Sequence, residues 1–162
     1  MLHDLFQKNF SISGKISSHV NGTKILRICG KTFVEDIQRI SEICTPQEKW
    51  NTPKIIKNQS NKIQLSYLRG FFDAEGGLPK NPEKAKQKYI SFSQKNMESL
   101  EFLQNILRRN KFTPTNLTRC GGVWEFRLTR KKDIINFYFC VGSWHSDKKM
   151  RLKILKDGLI ST

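Results

Sequence analysis

The sequence predicts an α+β fold in which helices cover one face of an antiparallel sheet. Apolar residues at helical spacing, short stretches of alternating apolar and polar residues, and glycine pairs follow one another along residues 63–162. The resulting order is helix, two strands, helix, two strands and further helices. Because an antiparallel sheet can leave its other face wet, this order favours one layered unit with an exposed sheet surface.

The first helix of this unit is predicted at Leu65–Ala74 and is expected to be buried. Ser66, Gly70 and Ala74 recur every fourth residue, so they share one face of the helix. Side chains that small allow a second helix to approach closely. We therefore expect a helix–helix contact along this small-residue stripe.

Two acidic residues, Asp73 and Glu75, come at the C-terminal end of this helix, where Gly76 and Gly77 interrupt it. Acids are disfavoured at a helix C-terminus because the helix dipole is negative there. A bound divalent cation would explain both of them, since carboxylates are ligands that such hard cations prefer.

The remaining elements follow from the same two periodicities, with a hairpin turn at residues 120–122. Strands are predicted at 76–79, 89–93, 115–119 and 123–129. Helices are predicted at 97–109, where Asn96 is the N-cap, and at 134–141 and 148–155.

The first 62 residues are predicted to be a partial repeat of the last fifty. Both segments contain a basic hairpin followed by a helix, and Arg27 and Arg127 are one hundred residues apart, as are Lys31 and Lys131. Self-similarity of this kind indicates duplication, and coincidence among short basic hairpins is the alternative. The prediction is therefore a partial repeat at 1–62, with a helix at 33–43, and a domain at 63–162.

The charge of the chain predicts a polyanionic partner. The formal net charge is +15, from 29 basic and 14 acidic residues. The basic excess is present in both halves, so it is not confined to a tail. No segment combines a lysine-rich face with a broad apolar face, so nucleic acid is favoured over a membrane surface.

The cysteines and histidines do not predict a zinc site. The four cysteines lack Cys-x-x-Cys spacing and the three histidines are scattered. Without a signal peptide or an apolar run that could span a membrane, we expect free thiols and an intracellular protein, in the cytoplasm or an organelle matrix and not secreted.

Residues 68–76 resemble the signature of the LAGLIDADG homing endonucleases. Leu68, Gly70, Asp73, Ala74 and Gly76 match this pattern, Glu75 replaces its last aspartate, and Arg69, Phe71 and Phe72 depart from it. The resemblance, which extends over about residues 63–156, implies an αββαββα unit with a curved antiparallel DNA-binding sheet. It also implies site-specific hydrolysis of phosphodiesters in both strands of DNA with Mg²⁺ or Mn²⁺.

The resemblance implies a metal site at the end of the motif helix. Glu75 matches the family's catalytic metal ligand, and Ala74 is assigned to the same site. Asp73 matches an acid that acts in the structure of the helix end.

Two further catalytic assignments come from the resemblance. Gln94 matches a polar residue that orders water in the active site, and a solvated strand end is its alternative. Lys148, with Lys149 as the neighbouring choice, matches a basic residue near the scissile phosphate, and a solvated helix face is the alternative.

The resemblance implies that the exposed sheet face lies along the major groove of double-stranded DNA, a groove that admits a two-stranded ribbon. Alternation assigns polar strand residues to this face, and an error of one residue in register would invert the assignment. The DNA-binding candidates are Lys80, Lys86, Lys88, Ser91, Ser93, Asn116, Thr118, Arg119, Glu125, Arg127 and Thr129, extended by Lys15, Ser17, His19, Lys24 and Arg27 of the front hairpin.

One motif supplies one catalytic acid per chain, so cleavage of both strands implies a homodimer formed through the Leu65–Ala74 helix. The first alternative is a non-catalytic DNA- or RNA-binding protein on the same scaffold, either a splicing helper or a decayed endonuclease. The second is a basic structural protein of a ribonucleoprotein particle, in which the motif is accidental.

Overall fold

The computed structural model describes residues 7–8, 14–18, 22, 24–41 and 49–161. The chain divides into two compact units, residues 1–40 and 41–162, which are described separately. The boundary expected from the sequence, between residues 62 and 63, falls inside the larger unit. Within the described residues, no helix is both long and apolar enough to cross a membrane.

The smaller unit contains an antiparallel hairpin of β1 (Lys15–Ser18) and β2 (Lys24–Arg27), followed by helix α1 (Lys31–Ser41). Lys15 pairs with Arg27 and Ser18 pairs with Lys24 in this hairpin. The helix expected at 33–43 is therefore present through residue 41, and residues 42–43 lie outside the described part of the chain.

The larger unit has the helix and strand order expected from the sequence, preceded by a short helix. Its elements are α2 (Lys54–Lys57), α3 (Asn61–Glu75), β3 (Gly76–Gly77), β4 (Ile90–Gln94), α4 (Met97–Arg109), β5 (Thr118–Cys120), β6 (Val123–Leu128), α5 (Lys131–Cys140) and α6 (Ser146–Ile160). The four strands form an antiparallel sheet in the order β3-β4-β6-β5. The α+β class is confirmed.

The core lies between the helices and one face of this sheet. Phe92 and Phe126 are opposite each other on β4 and β6, and their rings stack with centroids 4.9 Å apart. Phe72 of α3 packs edge-on against Phe137 of α5 at 5.1 Å. All four rings are fully buried. Removing one ring would cost about 3–5 kcal/mol, so this cluster holds α3 and α5 on the sheet.

Several boundaries differ from the sequence-based expectations. Helix α3 begins four residues before Leu65, and the first strand is limited to Gly76–Gly77. The segment expected as a strand at 115–119 is a strand only at 118–120, although the Thr115 amide donates to the Arg127 carbonyl at 2.8 Å. The Asn96 N-cap is confirmed, since its side chain accepts a hydrogen bond from the Ser99 amide at 2.9 Å.

The small-residue stripe of α3 does not make the expected contact within the described chain. Ser66, Gly70 and Ala74 are exposed. No heavy atom of the described residues, apart from the helix's own backbone and chain neighbours, lies within 4 Å of where a Cβ on Gly70 would be. Helix α3 instead buries its opposite side, through Leu68 and Phe72. The stripe is therefore unpacked within the described residues of one chain, and its contact with a second helix stays a prediction.

Candidate active site and nucleic-acid interface

The end of helix α3 requires glycine. A Cβ on Gly76 would collide with the ring and carbonyl of Phe72, and a Cβ on Gly77 would collide with the Ser91 hydroxyl. The chain therefore leaves the helix and enters β3 directly, because both residues lack a side chain. This short passage places the last acidic residue of the helix, Glu75, at the edge of the sheet.

Asp73 binds the loop that precedes α6. Its carboxylate accepts hydrogen bonds from the Ser143 hydroxyl and from the Trp144 amide, the latter at 3.0 Å. Ser143 is 8% exposed, and its Oγ also accepts from the His145 amide at 3.1 Å. The position of Asp73 agrees with the structural role expected at the helix end.

Lys148 binds the same helix end from the opposite direction. Its Nζ donates to the carbonyls of Phe72 at 2.8 Å and Asp73 at 2.9 Å. These carbonyls belong to the last turn of α3, where most helical carbonyls lack intrahelical partners. The Phe72 carbonyl also accepts from the Gly76 amide. Burial lowers the pKa of the Lys148 ammonium below its ordinary value, and the nearby Asp73 carboxylate opposes part of that shift.

These contacts connect α3 with α6 and the loop before it. Asp73 of α3 binds the loop, and Lys148 of α6 binds the end of α3. We call Asp73, Ser143, Trp144 and Lys148 the helix-end clamp. The clamp places the Lys148 ammonium at the C-terminus of α3, where the helix dipole is negative.

Glu75 lies outside this clamp and is exposed. It lines a cavity of about 310 Å³ together with Gln94, so the structure brings these two predicted residues to one site. Gln94 is 6% exposed, and its Oε1 accepts from the Lys95 amide at 2.8 Å. Trp50 lines the same cavity, and among the described residues its buried Nε1 has no hydrogen-bond partner.

The donor atoms at this site fit a hard divalent cation only in part. Glu75 offers an exposed carboxylate, and carboxylates are preferred ligands of Mg²⁺ and Mn²⁺. Asp73 is engaged by Ser143 and Trp144. Within the described part of the chain, no group of three histidine, cysteine or acidic side chains is placed to hold a metal. Mg²⁺ usually keeps several water ligands and takes one or two carboxylates together with substrate phosphates, so the further ligands would be water, DNA phosphate or donors of a second chain.

The outer face of the sheet carries several predicted DNA-binding residues. Ser91 is opposite Arg127, and Ser93 is opposite Glu125. Glu125 accepts hydrogen bonds from Arg127 at 2.6 Å and from Ser93 at 3.2 Å. The Arg127 guanidinium also lies 4.6 Å from the centroid of the Tyr89 ring. The structure thus gathers a polar cluster on this face, and Glu125 orients Arg127 within it.

The other candidates are more dispersed. Lys88, Arg127 and Thr129 line one groove of about 300 Å³, and the Nζ of Lys88 also lies close to Gly158 of α6. Arg119 pairs with Trp124, which packs against the core, so the register places Arg119 on the opposite face from Arg127. The remaining candidates of the larger unit, Lys80, Lys86, Asn116 and Thr118, are exposed.

In the smaller unit, the register likewise separates the candidates. Lys15, Ser17 and Arg27 share one face of the hairpin, while Lys24 lies on the other, where its Nζ donates to Ser18 at 2.6 Å. His19 lies outside the described residues.

Sequence reasoning did not identify the partners of Asp73. Ser143 and Trp144 are seventy residues away in the chain, and a serine before a helix carries no signal of such a contact. Sequence reasoning did not identify the contacts of Arg69 either. Arg69 is half-buried, donates to the Val141 carbonyl and lies over the Trp144 ring at 4.8 Å.

Comparison with known proteins supports the resemblance. Residues 62–142, half of the chain, match the family model described as a LAGLIDADG-like domain. The chain is 31% identical to the homing endonuclease I-ApeI of Aeropyrum pernix over 65% of this chain and 47% of that protein. It is 28% identical to the intron-encoded DNA endonuclease ai2b of Dictyostelium discoideum over 63% and 39%, respectively. The chain thus spans less than half the length of these curated relatives.

Two solved structures share the fold at low sequence identity. I-DmoI, solved with DNA and Mn, has a TM-score of 0.61 and 17% identity over 86% of this chain and 70% of that one. The N-terminal LAGLIDADG domain of DUF199/WhiA has a TM-score of 0.53 and 16% identity over 85% and 62%, respectively. With the motif, the element order and the family match in agreement, this chain belongs to the LAGLIDADG family.

Proposed function

We propose that this chain acts as a site-specific DNA endonuclease that uses Mg²⁺ or Mn²⁺ to hydrolyse phosphodiesters in both strands. The observation that carries the proposal is the division of labour between two acids at the end of α3. The Asp73 carboxylate is hydrogen-bonded by Ser143 and Trp144, whereas the Glu75 side chain is exposed and lines a cavity with Gln94. A free carboxylate on a rigid helix end is suited to holding a metal beside a phosphate.

In this proposal Glu75 and Ala74 hold the metal, and Ala74 can contribute only its backbone carbonyl. A bound divalent cation supplies charge neutralisation and a lowered pKa for a coordinated water. The ammonium of Lys148 adds fixed positive charge at the same helix end, where it favours the developing charge on a phosphate. Gln94, positioned through Lys95, orients water in the cavity that it shares with Glu75.

A second motif helix would complete the site. The stripe of Ser66, Gly70 and Ala74 is exposed, and the neighbouring Ile63 is 43% exposed on the same helix. Such a face is suited to close packing against an identical helix, in which each chain contributes one Glu75. A homodimer through α3 would therefore place one acid for each DNA strand.

The outer sheet face is the proposed duplex-binding surface. Arg127 is held by Glu125 and Tyr89, and the groove beside it is also lined by Lys88 and Thr129. Arginine and lysine on such a face bind phosphates and read guanine edges in the major groove. The net charge of +15 favours association with DNA at any sequence.

A non-catalytic DNA- or RNA-binding protein is the second candidate. It is supported by the basic charge of the chain, because a net charge of +15 attracts nucleic acid whether or not the chain cleaves it. In that case the chain would use the same basic surface and would bind without cutting.

The deciding experiment compares wild type with Glu75→Gln on plasmid DNA that carries candidate target sites, with Mg²⁺ or Mn²⁺. Glutamine keeps the shape of the side chain but removes the anionic ligand, so cleavage should fall by orders of magnitude. Metal-free DNA affinity should hold or rise slightly, because a negative charge near phosphate is lost. Glu83→Gln, at an exposed acid outside this site, is the matched control and should cleave like wild type. If the wild-type protein never cleaves DNA and Glu75→Gln binds DNA with the same affinity as wild type, the chain is a nucleic-acid-binding protein without nuclease activity.

A further inference from the structure

A second cavity, of about 290 Å³, lies among α3, α5, α6 and the loop that joins the last two helices. Its lining includes the rings of Tyr138, Phe139 and Trp144 and the cationic side chains of Arg69 and Lys149. We call these five residues the aromatic pocket. Trp144 contributes its backbone amide to the helix-end clamp, and Lys149 is the alternative to Lys148 in the catalytic assignment. The three rings have no role in the cleavage proposed above.

The rings of the aromatic pocket are unusually open to solvent. Phe139 is 68% exposed and Trp144 is 57% exposed, and Met150, on the first turns of α6, is 56% exposed. Single exposed apolar residues are common on protein surfaces, but large aromatic side chains grouped around a concavity indicate a binding site. Aromatic residues also contribute much area to a contact at a low cost in conformational entropy.

The positive charges of Arg69 and Lys149 beside these rings favour a negatively charged ligand. The Arg69 guanidinium lies 4.8 Å from the centroid of the Trp144 ring, and Lys149 adds a second cation. Of the described residues that line the cavity, none is acidic. Helix α6, which carries Lys149, also has two acids that form salt bridges. Asp147 Oδ2 lies 2.7 Å from a guanidinium nitrogen of Arg151, and Asp157 Oδ1 lies 2.6 Å from the Nζ of Lys156. Asp73 lies next to the pocket, but its carboxylate is bound by the Ser143 hydroxyl and the Trp144 amide. The pocket therefore offers aromatic rings for stacking and two cationic side chains beside them.

A ligand that matches both features has planar rings joined to phosphates. In a duplex the bases are stacked inside and cannot reach protein rings, whereas unpaired bases stack on aromatic side chains and on arginine planes. The aromatic pocket is also distinct from the duplex-binding surface. It is built on helices, which cover the inner face of the sheet, while Arg127 lies on the outer face. Both polymers could therefore be bound without sharing residues.

We propose that the aromatic pocket binds unpaired nucleotides of a single-stranded nucleic acid. The base stacks on Trp144 and Phe139, and Arg69 and Lys149 bind the adjoining phosphates. This site does not depend on the proposed nuclease activity, because neither Glu75 nor the outer sheet face contributes to it.

The test measures binding of the full chain to fluorescent oligouridylate, oligothymidylate and a mixed-sequence duplex by anisotropy at fixed salt. Phe139→Ala and Trp144→Ala should each weaken single-strand binding by about tenfold, since loss of one base–ring stack costs about that factor. Trp144→Phe keeps a ring and should restore most of the affinity. Duplex binding should stay unchanged in all three variants. Arg127→Ala is the reciprocal control and should weaken duplex binding while leaving single-strand binding unchanged.

The two single strands separate the possible sources of the ligand. If oligouridylate and oligothymidylate bind equally well, the pocket recognises the base ring and the phosphate alone. If one of them binds more tightly, the pocket also recognises the sugar hydroxyl or the base methyl group, by which the two strands differ. The proposal is overturned if neither single strand binds at low salt, or if Phe139→Ala and Trp144→Ala bind both as wild type does. Equal loss of single-strand and duplex binding in these variants also overturns it. Phe139 is exposed, so Phe139→Ala should retain the wild-type melting temperature and remain informative if Trp144→Ala is unstable.

Discussion

The helix-end clamp predicts that Ser143 stabilises this domain far more than an ordinary surface serine. Its Oγ donates to the Asp73 carboxylate and accepts from the His145 amide, and the side chain is 8% exposed. Ser143→Ala removes both contacts, and of the donors to the Asp73 carboxylate in the described part of the chain the Trp144 amide remains. Hydrogen bonds to a charged group contribute about 1.5–3 kcal/mol, so unfolding should become easier by about that amount.

The assay is equilibrium unfolding in urea, followed by circular dichroism, with thermal melting as a second measure. For a chain of this size, a loss of about 1.5–3 kcal/mol corresponds to a melting temperature lower by about 3–12 °C. Ser161→Ala is the matched control: it removes a serine hydroxyl that bonds the Asp157 carbonyl on an exposed surface, and it should change stability by less than about 0.5 kcal/mol.

A double-mutant cycle locates the effect. Asp73→Asn weakens the same contact from the other side, so Asp73→Asn and Ser143→Ala combined should cost less than the sum of the two single changes, because neighbours in one network are not additive. If Ser143→Ala is as stable as Ser161→Ala, or if the two changes add fully, the clamp does not stabilise the fold and this reasoning is refuted.

Three further predictions concern packing, assembly and binding. Gly76→Ala should destabilise the fold by about 1–3 kcal/mol or more in urea unfolding, because its Cβ meets Phe72, and wild-type stability would contradict this. Gly70→Leu should abolish the proposed homodimer in sedimentation analysis without destabilising the monomer, whereas a variant that dimerises normally excludes the stripe as interface. The affinity for duplex DNA should fall as the salt concentration rises, with a slope of about −0.9 per neutralised phosphate in a plot of log affinity against log salt. Arg127→Ala should lower the affinity itself. An affinity that does not depend on salt would contradict the electrostatic argument.

The sequence alone was sufficient for the fold class and for the ends of several elements. The apolar spacing in 97–109 and the alternation in 89–93 are local patterns, and the structure has a helix and a strand there. The Asn96 cap and the glycine pair after α3 are also local chemistry, since a side chain oxygen or a missing Cβ acts on residues a few positions away. The family resemblance depended on one contiguous motif, and comparison confirmed it.

The resemblance predicted different roles for the two motif acids, and only the tertiary structure showed the contacts that distinguish them. Asp73 and Glu75 are two residues apart and chemically alike, but Asp73 meets Ser143 and Trp144 from a distant loop whereas Glu75 opens onto a cavity with Gln94. The sheet register similarly separated Arg119 from Arg127, because alternation defines two faces without saying which one the core occupies. The sequence therefore predicted which residues carry the chemistry, while long-range packing determined which of them are bound by distant parts of the described chain, because such contacts leave no local pattern.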